Sequence, residues 1–145
     1  MSGLRSPEIQ AAYDAVRSDD DETNWLLISD SAPGSKQLAL SKTGTGGLPE
    51  LAAALDDKEV QYGYVRVEYA NDAESKRIKF ALVVWIGKDT KVMRKARVSI
   101  ESGEVGAVLS HHRKVNAADP RDLDEAGIVA ELRKAGGADY NGGRG

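Results

Sequence analysis

The side chains with the widest catalytic repertoire are scarce in this chain and spaced badly for it. Its two histidines, His111 and His112, are adjacent. In a strand such neighbours point to opposite faces, so the pair cannot close on one metal ion. Cysteine is absent, which removes thiolate nucleophiles, disulfides and thiolate zinc sites together. Asp19, Asp21, Thr23 and Asp30 fall at positions 1, 3, 5 and 12 of a calcium-loop count. Asn24, however, stands where that loop needs glycine, and residues 25–29 read as strand, so a solvated turn is the better reading. Gly44, Gly46 and Gly47 are not followed by the Lys-Ser or Lys-Thr of a phosphate loop. There is no Gly-x-Gly-x-x-Gly fingerprint between a strand and a helix and no Gly-x-Ser-x-Gly nucleophile turn. No residue is left on which an enzyme would rest, and no cofactor or metal is expected.

Charge is the chemistry that remains. The chain of 145 residues carries a formal charge of −3, which argues against a general nucleic-acid binder. The charge is unevenly distributed. Lys76, Arg77, Lys79, Lys88, Lys91, Arg94, Lys95 and Arg97 face a single acid, Asp89, so residues 76–97 carry +7 and the remainder −10. An acidic run at residues 19–22 lies outside this basic stripe. Lysines on a surface helix often serve solubility alone. Here two separate elements present the same sign, a loop tip with Lys76 and Arg77 and a helical face with Lys91, Arg94 and Lys95, and this predicts a composite docking surface for an acidic partner.

The elements that must carry these cations are legible from periodicity. Ser6-Pro7-Glu8 opens a helix with a hydroxyl cap, a proline at its first position and an acid at its positive end. Ile9, Ala12, Tyr13 and Val16 then recur at the spacing of one buried stripe. Short strands follow over residues 25–29 and 37–42, and a second helix over 49–55. Residues 62–69 alternate, and residues 78–86 are apolar on both faces. These predict the two central strands, joined by a polar hairpin tip over residues 70–77.

A third helix is predicted from about residue 90 towards 109, with Val92, Met93, Ala96 and Ile100 on one side and the cations on another. Gly103 and Gly106 weaken its second half. Residues 111–115 suit an edge strand. Asp119-Pro120 starts a last helix that buries Ile128, Val129 and Leu132 and ends at Gly136-Gly137. The order predicts one α/β (α+β) domain over residues 1–140, a central mixed sheet of five to six strands sandwiched between helices, and a disordered tail over 141–145. Residues 1–5 lack an apolar run of leader length and residues 81–86 are too few to cross a bilayer, so the expectation is a soluble, cytoplasmic monomer.

Three stretches together resemble the coactosins of the actin-depolymerising-factor homology (ADF/cofilin) superfamily. They are Ala11-Ala12-Tyr13-Asp14-Ala15-Val16-Arg17, then Ser75-Lys76-Arg77-Ile78-Lys79-Phe80-Ala81-Leu82-Val83-Val84-Trp85-Ile86-Gly87, and Glu131-Leu132-Arg133-Lys134-Ala135-Gly136-Gly137-Ala138-Asp139-Tyr140. The second is the most specific. The resemblance spans residues 9–140 and implies the ADF-homology fold, a long actin-facing third helix and no catalysis. It further implies side-binding to filamentous actin, weak or no binding of monomeric actin, and an action against barbed-end capping.

Carried over by motif, the basic hairpin falls on Lys76, Arg77 and Lys79, with Lys79 the first choice. The helix motif falls on Lys95-Ala96-Arg97, with Lys91 and Arg94 beside it, and Lys134 lies in the last stretch. Beyond Arg97 the likeness departs: Val98, Ile100 and Ser102 stand where polar or basic residues are expected. The superfamily's alternatives are a cofilin-like depolymerising or severing factor, or a phosphoinositide binder using the same cations. Ser2 and Ser6 are only loose counterparts of the cofilin regulatory serine, and Ser6 is better used as a cap.

Overall fold

The computed structural model describes the backbone of residues 3–32, 35–70 and 76–142. The elements run α1 (Pro7–Arg17), β1 (Trp25–Asp30), β2 (Leu38–Gly44), α2 (Gly47–Ala53), β3 (Val60–Ala70), β4 (Lys76–Ile86), α3 (Val92–Lys95), α4 (Val98–Val108), β5 (Arg113–Ala117) and α5 (Glu125–Gly142). A 3-10 turn over Pro120–Leu123 precedes α5. Five strands form one mixed sheet in the order β2-β1-β3-β4-β5. All pairs are antiparallel except β4 with β5.

The alternation read along residues 62–69 becomes a two-sided sheet. Leu26, Ile28, Tyr62, Tyr64, Leu82 and Val84 face α1 and α4, meeting Ile9, Val16, Val105 and Leu109. Leu27, Val65, Val67, Val83 and Trp85 face α2 and α5, meeting Leu48, Leu51, Ile128 and Leu132. The sheet therefore sits between two helical layers, as the element order predicts.

Local chemistry fixes the ends of α1. The Ser6 hydroxyl accepts the Ile9 N–H at 3.3 Å, the cap read from sequence. At the other end Arg66, on β3, donates to the carbonyls of Val16 (2.6 and 2.9 Å), Ala15 (3.4 Å) and Ser18. Ala15 also accepts the Ser18 N–H, but the Val16 carbonyl lies in the last turn of the helix, where intrahelical donors run out, and Arg66 supplies its hydrogen bonds. Arg66 also lies 3.5 Å from the Asp21 carbonyl, so a cationic side chain already occupies the acidic turn that imitates a calcium loop.

Several boundaries differ from the sequence expectation: β3 and β4 reach Ala70 and Lys76, which puts Lys76 and Arg77 in a strand rather than in the loop tip, and the last helix starts at Glu125, after the 3-10 turn. The predicted third helix is two helices, broken at Ala96 and Arg97 rather than at the glycines, which both lie inside α4. The backbone of α5 continues through Gly136-Gly137 to Gly142, while residues 143–145 lie outside the described ones. β5 begins at Arg113 because His112 uses its side chain as well as its backbone against β4. Its N–H donates to the Phe80 carbonyl at 2.8 Å, and its Nδ1 accepts the Phe80 N–H at 2.9 Å.

Candidate functional site

The β3–β4 ladder runs without a break from Val60 opposite Ile86 to Ala70 opposite Lys76. Lys76 and Arg77 are exposed and Lys79 is half-buried. Strand alternation puts Arg77 and Lys79 on the α5 face, opposite Tyr69 and Val67, and Lys76 on the other face. None of the three has an ion-pair partner among the described residues. The rest of the predicted hairpin tip, residues 71–75 with Ser75, lies outside the described residues.

Arg133, on α5, completes this patch. Its guanidinium carbon sits 4.6 Å from the centroid of the Tyr69 ring and its Nη2 donates to the Ala70 carbonyl at 2.7 Å, at the last residue of β3. The neighbouring Lys134 is exposed but pairs with Glu131 at 3.4 Å, and Arg113 holds the same carboxylate at 2.9 Å. Those two partners keep the Glu131 carboxyl below its ordinary pKa, Arg113 more than Lys134. Of the two bases in this stretch, Arg133 sits against the end of β3 and Lys134 pairs with Glu131.

The second group of cations lies elsewhere. Arg94 reaches Asp30 at the end of β1, and that end of the sheet is where Val60 and Ile86 lie. Lys76 is ten residues further along β4, about 33 Å away at the usual rise per residue. The hairpin and α3 therefore form two patches at opposite ends of the sheet, where the sequence predicts one composite surface.

Within the second patch the roles also differ from expectation. Arg94 is an internal tie. Its side chain is 11% exposed; Nε donates to Asp30 at 2.9 Å and Nη2 to Glu101 at 2.6 Å. Burial works against its charge, but the hydrogen bonds to Asp30 and Glu101 outweigh burial and raise its pKa above the ordinary value. Arg97 joins the same carboxylate at 3.2 Å, and the Tyr62 hydroxyl donates to Glu101 at 2.7 Å. Burial, and then that bond to Glu101, push the Tyr62 hydroxyl pKa upward. Two arginines and two carboxylates thus cancel, and Lys91 and Lys95 remain exposed, without an ion-pair partner among the described residues.

With Arg94 turned inward, three of the apolar residues placed on the opposite side of the predicted helix face solvent. Val92 is 79% exposed, Met93 81% and Ile100 76%. Residues 91–100 thus expose three apolar side chains beside two lysines, an amphipathic stretch of surface. Their spacing imitates a buried stripe, so periodicity alone cannot reveal them. The signal for Arg133 was stronger, a second base in the same motif as Lys134, but its aromatic platform is 64 residues away in the chain.

The His111 ring nitrogen Nδ1 lies 2.8 Å from the Leu109 carbonyl, and the His112 Nδ1 takes the Phe80 N–H. The patch at the hairpin end is ionic, and the patch at the α3 end mixes apolar and ionic side chains.

Residues 3–133 match the family described as cofilin/tropomyosin-type actin-binding protein. Coactosin of Dictyostelium discoideum is 37% identical over 98% of this chain and 97% of its own length. The crystal structure of coactosin from Entamoeba histolytica superposes with a TM-score of 0.84 and 30% identity, covering 95% of this chain and all of that one. The solution structure of mouse coactosin, an actin filament binding protein, superposes with a TM-score of 0.71 and 30% identity over 91% of this chain and 90% of that one. The chain belongs to the cofilin/tropomyosin-type actin-binding protein family. Within that family it is an actin-binding protein of the coactosin type.

Proposed function

We propose that this protein binds the sides of actin filaments in preference to free monomers, as a non-catalytic cytoplasmic factor over residues 1–140, and works there against barbed-end capping. The observation that carries the proposal is the separation of its two patches by the length of β4. A surface split over about 33 Å suits a partner that offers two subunits side by side, and a lone subunit engages one patch at a time. The mouse relative binds actin filaments, which supports the same reading. Among the described residues no helix is long and apolar enough to cross a membrane.

Lys76, Arg77 and Lys79, positioned by Arg133, form the first contact. Lys91 and Lys95, with Val92, Met93 and Ile100 between and beside them, form the second. Arg94 and Arg97 serve the second contact by holding α3 against β1 and α4. Exposed ion pairs contribute only about 0–1 kcal/mol each, so neither group of cations suffices alone.

Co-sedimentation with filamentous actin tests the proposal. Lys79→Ala and, separately, Lys91→Glu with Lys95→Glu are each expected to leave most of the protein in the supernatant at a concentration where the parent pellets. A monomer-binding assay run alongside is expected to show weak association throughout. Full pelleting of either variant would remove its patch from the interface, and monomer binding as tight as filament binding would remove the two-subunit argument. Vesicles of anionic lipid added as competitor separate filament binding from a lipid reading of the same cations.

A further inference from the structure

We propose that Met93 is an oxidation site through which peroxide reversibly weakens docking by the α3 face; the inference rests on the filament-binding reading above. The chain has no cysteine and two methionines, Met1 and Met93. Met93 is therefore its one internal sulfur, and it is 81% exposed. Both tryptophans are shielded, Trp25 at 2% and Trp85 at 1% exposure, and Tyr62 and Tyr64 are buried completely. Among the described residues Met93 is the one sulfur, and it stands between Val92 and the Arg94 tie.

The step balances without a bound cofactor. The Met93 sulfur attacks one oxygen of hydrogen peroxide, the O–O bond breaks, and the sulfur gains that oxygen as a sulfoxide. The other oxygen leaves with the proton as water, so the sulfur loses two electrons and the peroxide gains them. A dithiol-dependent sulfoxide reductase reverses the change, taking the oxygen off as water while two thiols become a disulfide. Oxidation puts a strongly polar, hydrogen-bond-accepting group where Val92, Met93 and Ile100 otherwise present hydrocarbon. Burying it against a partner without a donor opposes binding, by about tenfold or more in Kd. The fold is insulated from the change because Met93 packs into neither core cluster.

The test treats the full-length protein with hydrogen peroxide, removes the excess with catalase, and only then adds untreated actin filaments. Peptide mass spectrometry is expected to show one added oxygen on Met93, the filament affinity read from pelleting is expected to fall about tenfold, and a sulfoxide reductase is expected to restore both. Met93→Leu keeps Met1, and peroxide is expected to leave its pelleting at the level of its own untreated sample. Val92→Ser with Ile100→Ser, never exposed to peroxide, reports on the docking face itself. If that double variant pellets like the parent, the α3 face is not the contact and the filament-binding reading fails at this patch. If the double variant pellets poorly while fully oxidised parent pellets normally, the redox inference alone is overturned. Resistance of Met93 to peroxide in the free protein would also overturn it.

Discussion

Replacing Arg94 by Met is expected to destabilise the protein by about 3 kcal/mol, and the figure follows from what Arg94 holds. Its guanidinium bridges Asp30 at 2.9 Å and Glu101 at 2.6 Å, in side chains that are 11%, 16% and 8% exposed. Removing one partner of a buried pair costs about 3–5 kcal/mol, because the charges left behind stay desolvated. Two features of the site place the cost at the low end. Glu101 keeps Arg97 at 3.2 Å and the Tyr62 hydroxyl at 2.7 Å. Arg94 Nη1 is buried without a hydrogen bond, so its desolvation penalty disappears with the guanidinium. In a domain of this size that loss lowers Tm by roughly 6–12 °C. Urea unfolding reads it as a lower midpoint at unchanged slope. Adding Glu101→Gln removes one of the stranded charges, so the double variant should lose less than the sum of the two, by about 1 kcal/mol or more. A stability change within about 0.5 kcal/mol, together with lost filament binding, would show that Arg94 is a surface contact after all and that the four-residue tie is incidental.

Three further outcomes follow from the geometry. Tyr69→Leu removes the ring under Arg133, and Arg133→Lys keeps the charge while losing the planar stack; each should weaken filament pelleting several-fold, consistent with about 0.5–1 kcal/mol for such a contact, and normal pelleting by both would mean the hairpin stands without this clamp. Burial, reinforced by Asp56 and Asp30, raises the pKa of the Glu59 carboxyl. Its folded value lies above its unfolded one, so its contribution is present below the unfolded value and lost as pH rises through the folded one. Glu59→Gln should therefore raise the urea midpoint at pH 7 and leave it unchanged below about pH 4; an equal gain at both would contradict the assignment. Lys79→Ala should flatten the salt dependence of filament affinity, whereas Val92→Ser with Ile100→Ser should lower affinity at every salt concentration and leave that dependence alone; the same slope for both variants would show that the two patches do not differ in kind.

The sequence made the sheet and the hairpin legible because both depend on local alternation. Residues 62–69 and 78–86 are strands that bury one or both faces, and nothing distant is needed to see it. Ser6 and Pro7 are likewise read from neighbours within one helical turn. The α3–α4 segment was misread for the opposite reason. Its cations at 91, 94 and 95 share a helical face, but one of them meets a carboxylate at position 30 that only the folded sheet brings near. Glu101 and Ser102 are buried and Ile100 is exposed in α4, so the helix violates the rule by which a buried stripe is recognised. Arg66 is the same kind of case, a base in a central strand whose purpose is to receive the end of α1. In each instance a charged side chain is satisfied by a partner dozens of residues away, and local pattern assigns it to solvent.

On the proposed filament-binding reading, that inversion divides the work of recognition between the two ends of the sheet. The hairpin end presents cations without ion-pair partners among the described residues and one partly exposed aliphatic, Ile78. Such a surface attracts an acidic polymer over a distance and sets orientation more than it holds. The α3 end presents three apolar side chains, each able to contribute about 1.5–3 kcal/mol if fully buried, and the ordering costs of association take back a large part of that sum. On the proposed reading, affinity comes mainly from α3, and a preference for adjacent subunits comes from the requirement that the hairpin engage at the same time. Coupling of this kind needs a rigid spacer, which the unbroken β3–β4 ladder between the patches provides. It also needs α3 held in one orientation, and the Arg94 tie does this by anchoring a four-residue helix, too short to be stable alone, to the first strand and to the helix that follows it.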